Sequence, residues 1–115
     1  MLTLRKRASL NRKAESRLRF PGHRQWVRRF LCAVEGCNGL PIIAAHVRLG
    51  IPKEDKGGTG MKPHDRWCVP LCDAHHDEQH SIGEATFARK YGLDLIALAE
   101  QLQRASPHKR KWEDG

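Results

Sequence analysis

Two short spacings constrain this chain more than any other feature. Cys32 and Cys37 are separated by four residues, and Cys72 and His75, about 35 residues further on, by two. Each pair can reach one ion from a single turn. Together they offer three thiolates and one imidazole, the donor set of a structural tetrahedral zinc site. Zn–S bonds of about 2.3 Å require the two pairs to converge, so the chain between them must fold back on itself. A pair of strands between the two knuckles does this.

A staple of this kind has a purpose at this size. The chain has 115 residues, 39% hydrophobic and only 6% aromatic, so one thin-cored domain is expected. The N-terminal MLTLRKRASLNRK lacks the apolar core of a secretory signal, and no window approaches the length of a membrane span. That places the chain in the cytoplasm, where clustered Cys and His mean metal rather than disulfide. A second ligand set, Cys32, Cys37, Cys68 and Cys72, competes with the first. An extended stretch at 67–71 would set Cys68 and Cys72 about 13 Å apart, too far for one ion. Cys72 with His75 is therefore preferred, and Cys68 becomes a small core residue.

The elements follow from punctuation and period. Residues 1–22 read as a basic arm, with Pro21-Gly22 as its boundary. Residues 23–32 read as a short helix whose Trp26, Val27 and Phe30 cover a small core, leaving Arg24, Arg28 and Arg29 in solvent. Residues 39–47 and 66–71 read as strands, with Pro70 ending the second or marking an edge. Between them, 48–65 is a long Gly- and Pro-bearing loop, functional or mobile. A helix follows with Asp73 as N-cap and Gly83 as its stop. Another over 84–92 ends at Gly92, and a third over 94–105 is capped by Asp94. Leu95, Leu98, Ala99 and Leu102 recur at helical spacing and belong to the core. Residues 106–115 read as a charged tail, which leaves 23–105 as the folded domain.

A second constellation lies beside the first. His76 and His80 sit four apart on the first of these helices, on one face, and can meet one ion. His75, one residue earlier and about 100° around, points elsewhere. His46, at the end of the first strand, faces the same helix. A neutral imidazole can take a proton from water, and a divalent cation opposite stabilises charge developing on a phosphate. This is a layout for phosphodiester hydrolysis. The net charge of +8 points to an anionic partner, DNA above all. Arg5, Arg7 and Arg12 on the arm and Arg48, Lys53, Lys56 and Lys62 on the loop are candidate phosphate contacts, with Arg66 as a clamp.

The run AAHVR, a Gly-rich loop and then GMKPHDRWCVPLCDAHHDEQH resembles the HNH endonuclease family, especially its small phage and prophage members. FARKYGLDLIALAEQL resembles their helical tail, so the likeness covers about residues 25–104. It implies an α+β fold: a ββα-metal finger with a structural zinc knuckle and packed flanking helices. It implies metal-dependent nicking or cleavage of DNA in a phage-infected or prophage-bearing bacterial cell. His46 resembles the general base. His76 and His80 resemble the ligands of the catalytic Mg²⁺, Mn²⁺ or Zn²⁺. Cys32, Cys37, Cys72 and His75 resemble the structural zinc ligands. Two positions depart from that family's pattern. Ala45 stands where many members place a further metal ligand, and Trp67 where many place the Asn that orients the base; Asp65 at the loop end is a candidate ligand. The competing expectation is therefore a zinc-stapled module that binds DNA or recruits a protein partner without cutting.

Overall fold

The structure, a computed structural model, describes residues 16–113. Arg5, Arg7 and Arg12, the expected phosphate contacts of the arm, lie outside them. The elements run α1 (Pro21–Val27), β1 (Ile42–His46), a 3-10 turn (Lys53–Asp55), β2 (Cys68–Cys72), α2 (Asp73–Ile82), α3 (Glu84–Tyr91), α4 (Leu95–Ala105) and α5 (Arg110–Glu113). This is an α+β domain built on one two-stranded sheet. None of the described helices is long and apolar enough to cross a membrane.

β1 and β2 pair antiparallel, with Ile42 opposite Cys72, Ala44 opposite Pro70 and His46 opposite Cys68. Pro70 does not end β2. A two-stranded sheet has only edge strands, and there a proline is tolerated; its carbonyl accepts the Ala33 N–H at 2.8 Å. The sheet buries both faces. Ala44 and Cys68 pack with Val27 of α1. Ala45, Val47, Val69 and Leu71 join Phe87 of α3 and Leu95 and Ala99 of α4 in the main core.

The helix signals in the sequence are found at α3 and α4. Asp94 Oδ1 accepts the Ala97 N–H at 3.0 Å. Gly92 closes α3 in the left-handed conformation at φ 64°, which glycine adopts without a Cβ clash. At α2 the cap differs from expectation. Its N-cap is Cys72, whose Sγ accepts the His75 N–H at 3.4 Å, and Asp73 is the first helical residue.

Both expected boundaries move outward. Pro21-Gly22 opens α1 rather than breaking the chain, because proline at the first helical turn loses no hydrogen bond. Leu18 is buried ahead of it. The expected tail also packs: Ser106 Oγ lies 2.8 Å from His23 Nδ1, and Trp112 meets the rings of Phe20, His23 and His64. The long loop is tied down as well. The buried Asp55 carboxylate accepts from Arg66 Nε at 3.0 Å, Arg66 Nη2 at 2.5 Å and Trp67 Nε1 at 2.7 Å.

Two buried histidines give the fold an acid limit. Burial, reinforced by the charge of His108, lowers the pKa of His23 to about 4. Burial, reinforced by Arg66, likewise lowers His64 to about 4. Between pH 6.5 and 4 the unfolded chain takes up protons at these positions that the folded chain refuses. Stability is therefore full above pH 6.5 and falls by up to about 1.4 kcal/mol per pH unit per histidine as pH drops toward 4. Thermal midpoints measured across this range should fall, and His64→Phe should flatten the slope.

Candidate functional site

Two sites share the turn from β2 into α2. The first is the cysteine–histidine cluster. Cys32 follows α1, Cys37 closes a turn through its N–H to Val34 O at 3.0 Å, Cys72 ends β2, and His75 sits in the first turn of α2. His75 Nδ1 lies 3.5, 3.5 and 3.2 Å from the sulfurs of Cys32, Cys37 and Cys72. Cys37 Sγ and Cys72 Sγ are 3.8 Å apart.

Tetrahedral geometry with zinc bond lengths gives edges of about 3.8 Å for S···S and about 3.6 Å for S···N. The Cys37–Cys72 separation and two of the three S···N separations match these, the third is shorter, and all four donors lie within 4.8 Å of one another, so they could hold one tetrahedral ion. The surroundings fit thiolates too. Gly39 N–H donates to Cys37 Sγ at 3.4 Å, and that bond holds the Cys37 thiol below its ordinary pKa. Burial acts the opposite way on Cys32. A Cβ at Gly39 would lie 3.0 Å from both Cys72 Cβ and Sγ, so a larger residue there would have to push the knuckle apart by a few tenths of an ångström. Tyr91 and Phe87 of α3 meet the His75 ring edge-on, with centroids at 5.1 and 6.3 Å, and fix its orientation. Sequence spacing had found the four donors but neither Gly39 nor this aromatic wall.

The second site is a small cleft of about 100 Å³, lined by His46, His76, His80, Arg24, Arg48 and Lys62 together with Ile43 and Ala44. His76 Nε2 and His80 Nε2 are 3.1 Å apart. Two imidazoles so placed could both reach one ion at Zn–N bond lengths of about 2.0–2.1 Å. Burial, followed by the charge of His80, lowers the His76 pKa and favours the neutral ring that a metal needs.

His46 is anchored from behind. Its Nε2 lies 2.8 Å from Asp65 Oδ1. Asp65 is 1% exposed and also accepts from Arg19 Nη1 at 2.7 Å and the Phe20 N–H at 2.7 Å. Burial raises the Asp65 pKa, but the bonds from His46 and Phe20 and the charge of Arg19 outweigh it, and the carboxyl is held below its usual range. An ionised carboxylate can only accept, so Nε2 of His46 carries the proton and Nδ1 keeps the lone pair. The His46 pKa is itself lowered, by burial above all and against the pull of Asp65. Its lowered pKa and the Asp65 bond favour a neutral imidazole in one tautomer.

Asp65, expected from the sequence as a candidate metal ligand, instead hydrogen-bonds and orients His46. Trp67 pins Asp55. A nitrogen, an oxygen and a sulfur of His46, Asp65 and Cys68 lie within 4.8 Å of one another. They do not make a cation site. Asp65 is already met by Arg19, and burial holds the fully enclosed Cys68 thiol protonated, far above its ordinary pKa. Cys68 is a packing residue. Ala45 is 1% exposed in the main core, so strand alternation turns position 45 away from the cleft.

The basic residues divide. Arg48 and Lys62 line the cleft. The loop leaving His46 is gripped by α3, where Glu84 accepts the Arg48 and Leu49 N–H groups, each at 2.9 Å. Arg66 is not a free phosphate clamp, because its guanidinium is committed to Asp55 at 2.5 Å. Lys53 and Lys56 are exposed but do not line the cleft. Arg24, expected in solvent, is half-buried and turns into the cleft, where its Nε is buried without a hydrogen-bond partner. The reading of 23–32 as a short helix with Arg24 in solvent did not foresee this, since α1 packs Val27 against Ala44 and Cys68 of the sheet.

Fold and site define a class: a small α+β domain with a three-cysteine, one-histidine cluster that could hold a metal ion, beside a histidine-bearing basic cleft. Residues 7–107 match the model of the DUF968 family, described as a protein of unknown function, and the chain belongs to that family. It is similar to the uncharacterized protein YdfU of Escherichia coli (strain K12), 35% identical over 99 residues, covering 79% of this chain and 26% of YdfU. The chain therefore spans about a quarter of that relative's length. No solved structure matches it.

Proposed function

We propose that this domain is a metal-dependent DNA endonuclease or nickase of the HNH type, a ββα-metal finger stapled by a structural zinc on Cys32, Cys37, Cys72 and His75. The observation that carries the proposal is the cleft. A neutral histidine base, fixed in one tautomer by a buried carboxylate, shares that cleft with a metal-spaced histidine pair and three cations. A core histidine or a purely structural finger needs no such set.

The roles follow from the side chains. His46 Nδ1 takes a proton from the attacking water, and the Asp65 carboxylate steadies the imidazolium that forms. His76 and His80 are the ligands for the Mg²⁺, Mn²⁺ or Zn²⁺, which, when bound, offsets negative charge building on the phosphate. Arg24, Arg48 and Lys62 hold the phosphates on either side. The unpartnered Nε of Arg24 is a donor waiting for such an oxygen. Phosphate contacts position a strand without reading its sequence, so low sequence specificity is expected, in the cytoplasm of a bacterial cell.

The alternative is a binding module that does not cut. What favours it is the ligand count: with Ala45 in the core, two histidines are the protein ligands offered to the cleft's cation. Supercoiled plasmid incubated with Mg²⁺, Mn²⁺ or Zn²⁺ separates the two readings. Nicking by the wild type that is lost in His46→Ala supports the enzyme; binding by both without nicking by either leaves the module.

A further inference from the structure

We infer that Phe20, His64 and Trp112 form a docking pocket for an unpaired nucleobase of a DNA strand, with Arg17 and Lys111 holding its phosphate. The inference rests on the nucleic-acid reading above and deepens it, since it names the structure the domain prefers. These five residues line a cavity of about 320 Å³, at the lower end of small-ligand sites.

The chemistry of the walls selects the occupant. Phe20 and His64 stack with centroids 4.8 Å apart and planes at 14°. Trp112 stands edge-on to both, at 5.4 and 6.0 Å. His64 is uncharged above about pH 4, so the platform is a neutral aromatic one. Arg17 and Lys111 at the rim are solvent-exposed, and no carboxylate among the described residues lines the cavity. Aromatic faces flanked by cations suit a base with its phosphate, and every base has a face to stack, so the pocket is indifferent to sequence. A closed aromatic core would explain the packing of Trp112 but not an open cavity between two exposed cations. Past Trp112, a second cavity of about 230 Å³ is lined by Arg104 and Lys109 together with Glu113 and the Asp55-bound Arg66.

The position ties the pocket to the cleft. Phe20 follows Arg19 and His64 precedes Asp65, the two residues that hold His46 from behind, and the Phe20 N–H itself donates to Asp65 at 2.7 Å. Pocket and cleft are thus joined through the Asp65 carboxylate, which bonds both Phe20 and His46. Frayed, nicked or flapped DNA would then be favoured over closed duplex.

The test is a binding comparison with a short oligothymidylate and a blunt duplex of the same length. Trp112→Leu should weaken oligothymidylate binding roughly ten-fold while changing duplex binding little, and Trp112→Phe should restore most of the loss. Because Trp112 also packs, Lys111→Gln and Arg17→Gln supply variants without a folding cost. Each should weaken oligothymidylate binding and lower its salt slope by about 0.7. Equal losses on both DNAs, no loss on either, or no DNA binding by the wild type would overturn the pocket. Its failure is distinct from failure of the nuclease reading, which shows as absent nicking whatever Trp112 does.

Discussion

Chelating the metal from the Cys32–Cys37–Cys72–His75 cluster is expected to unfold the domain. Structural zinc contributes about 10–16 kcal/mol to folding in small zinc domains, as much as the whole stability of an ordinary domain of about 5–15 kcal/mol. In this chain the ion would join the segment after α1 to the turn from β2 into α2, which otherwise meet through a small core and the Ala33 N–H to Pro70 carbonyl bond. Cys72→Ser should fold poorly through loss of the ligand alone, because a serine hydroxyl can still cap α2 in place of the sulfur that accepts the His75 N–H. Far-ultraviolet circular dichroism during titration with a chelator should show loss of helix, and elemental analysis of untreated protein about one tightly held zinc per chain. Cys68→Ala is the contrast. It should keep the metal and cost only about 1 kcal/mol, the scale of a small cavity. Loss of the metal in Cys68→Ala would restore the four-cysteine ligand set.

His46→Ala is expected to lower the nicking rate by about 10²–10⁴-fold, the usual contribution of a positioned base, and to leave DNA affinity unchanged. Asp65→Asn should also slow nicking, since an amide no longer dictates which His46 nitrogen carries the proton. The pH dependence separates the two roles. Activity needs neutral His46, so the rate should rise with pH through the lowered His46 pKa and level off above it. Asp65 raises that pKa through its hydrogen bond and its charge. Removing its charge should move the acidic limb to lower pH even as the maximal rate falls. A limb that stays in place in Asp65→Asn would mean that some other group limits the rate on the acid side.

The parts of the fold legible in the sequence are those set by local rules. The spacing of Cys32 with Cys37 and of Cys72 with His75 pointed to convergence across a strand pair, and the four donors do converge. Gly92 and Asp94 end and begin helices where their backbone and side-chain chemistry demands. What was not legible depends on contacts distant in sequence. Asp65 pairs with His46 and Arg19, 19 and 46 residues away, and nothing near Asp65 announces this. Arg66 looked like a free cation until Asp55, 11 residues back, folded onto it. The basic arm and charged tail were read from charge density, yet Leu18, Phe20 and Trp112 carry the ends of the described chain into packing. Adjacent helix residues diverge by about 100°, and that simple rule did assign His75 and His76 to different sites.

The most direct measurement is therefore His75→Ala beside His76→Ala, each assayed for bound zinc, helix content, DNA binding and plasmid nicking. One helix serving two sites predicts opposite outcomes one residue apart. His75→Ala should lose the tightly held zinc and the fold. His76→Ala should keep zinc, helix and DNA binding and lose nicking. A His76→Ala protein that nicks at the wild-type rate, or that loses its zinc and unfolds like His75→Ala, would contradict the division of the helix between structure and chemistry.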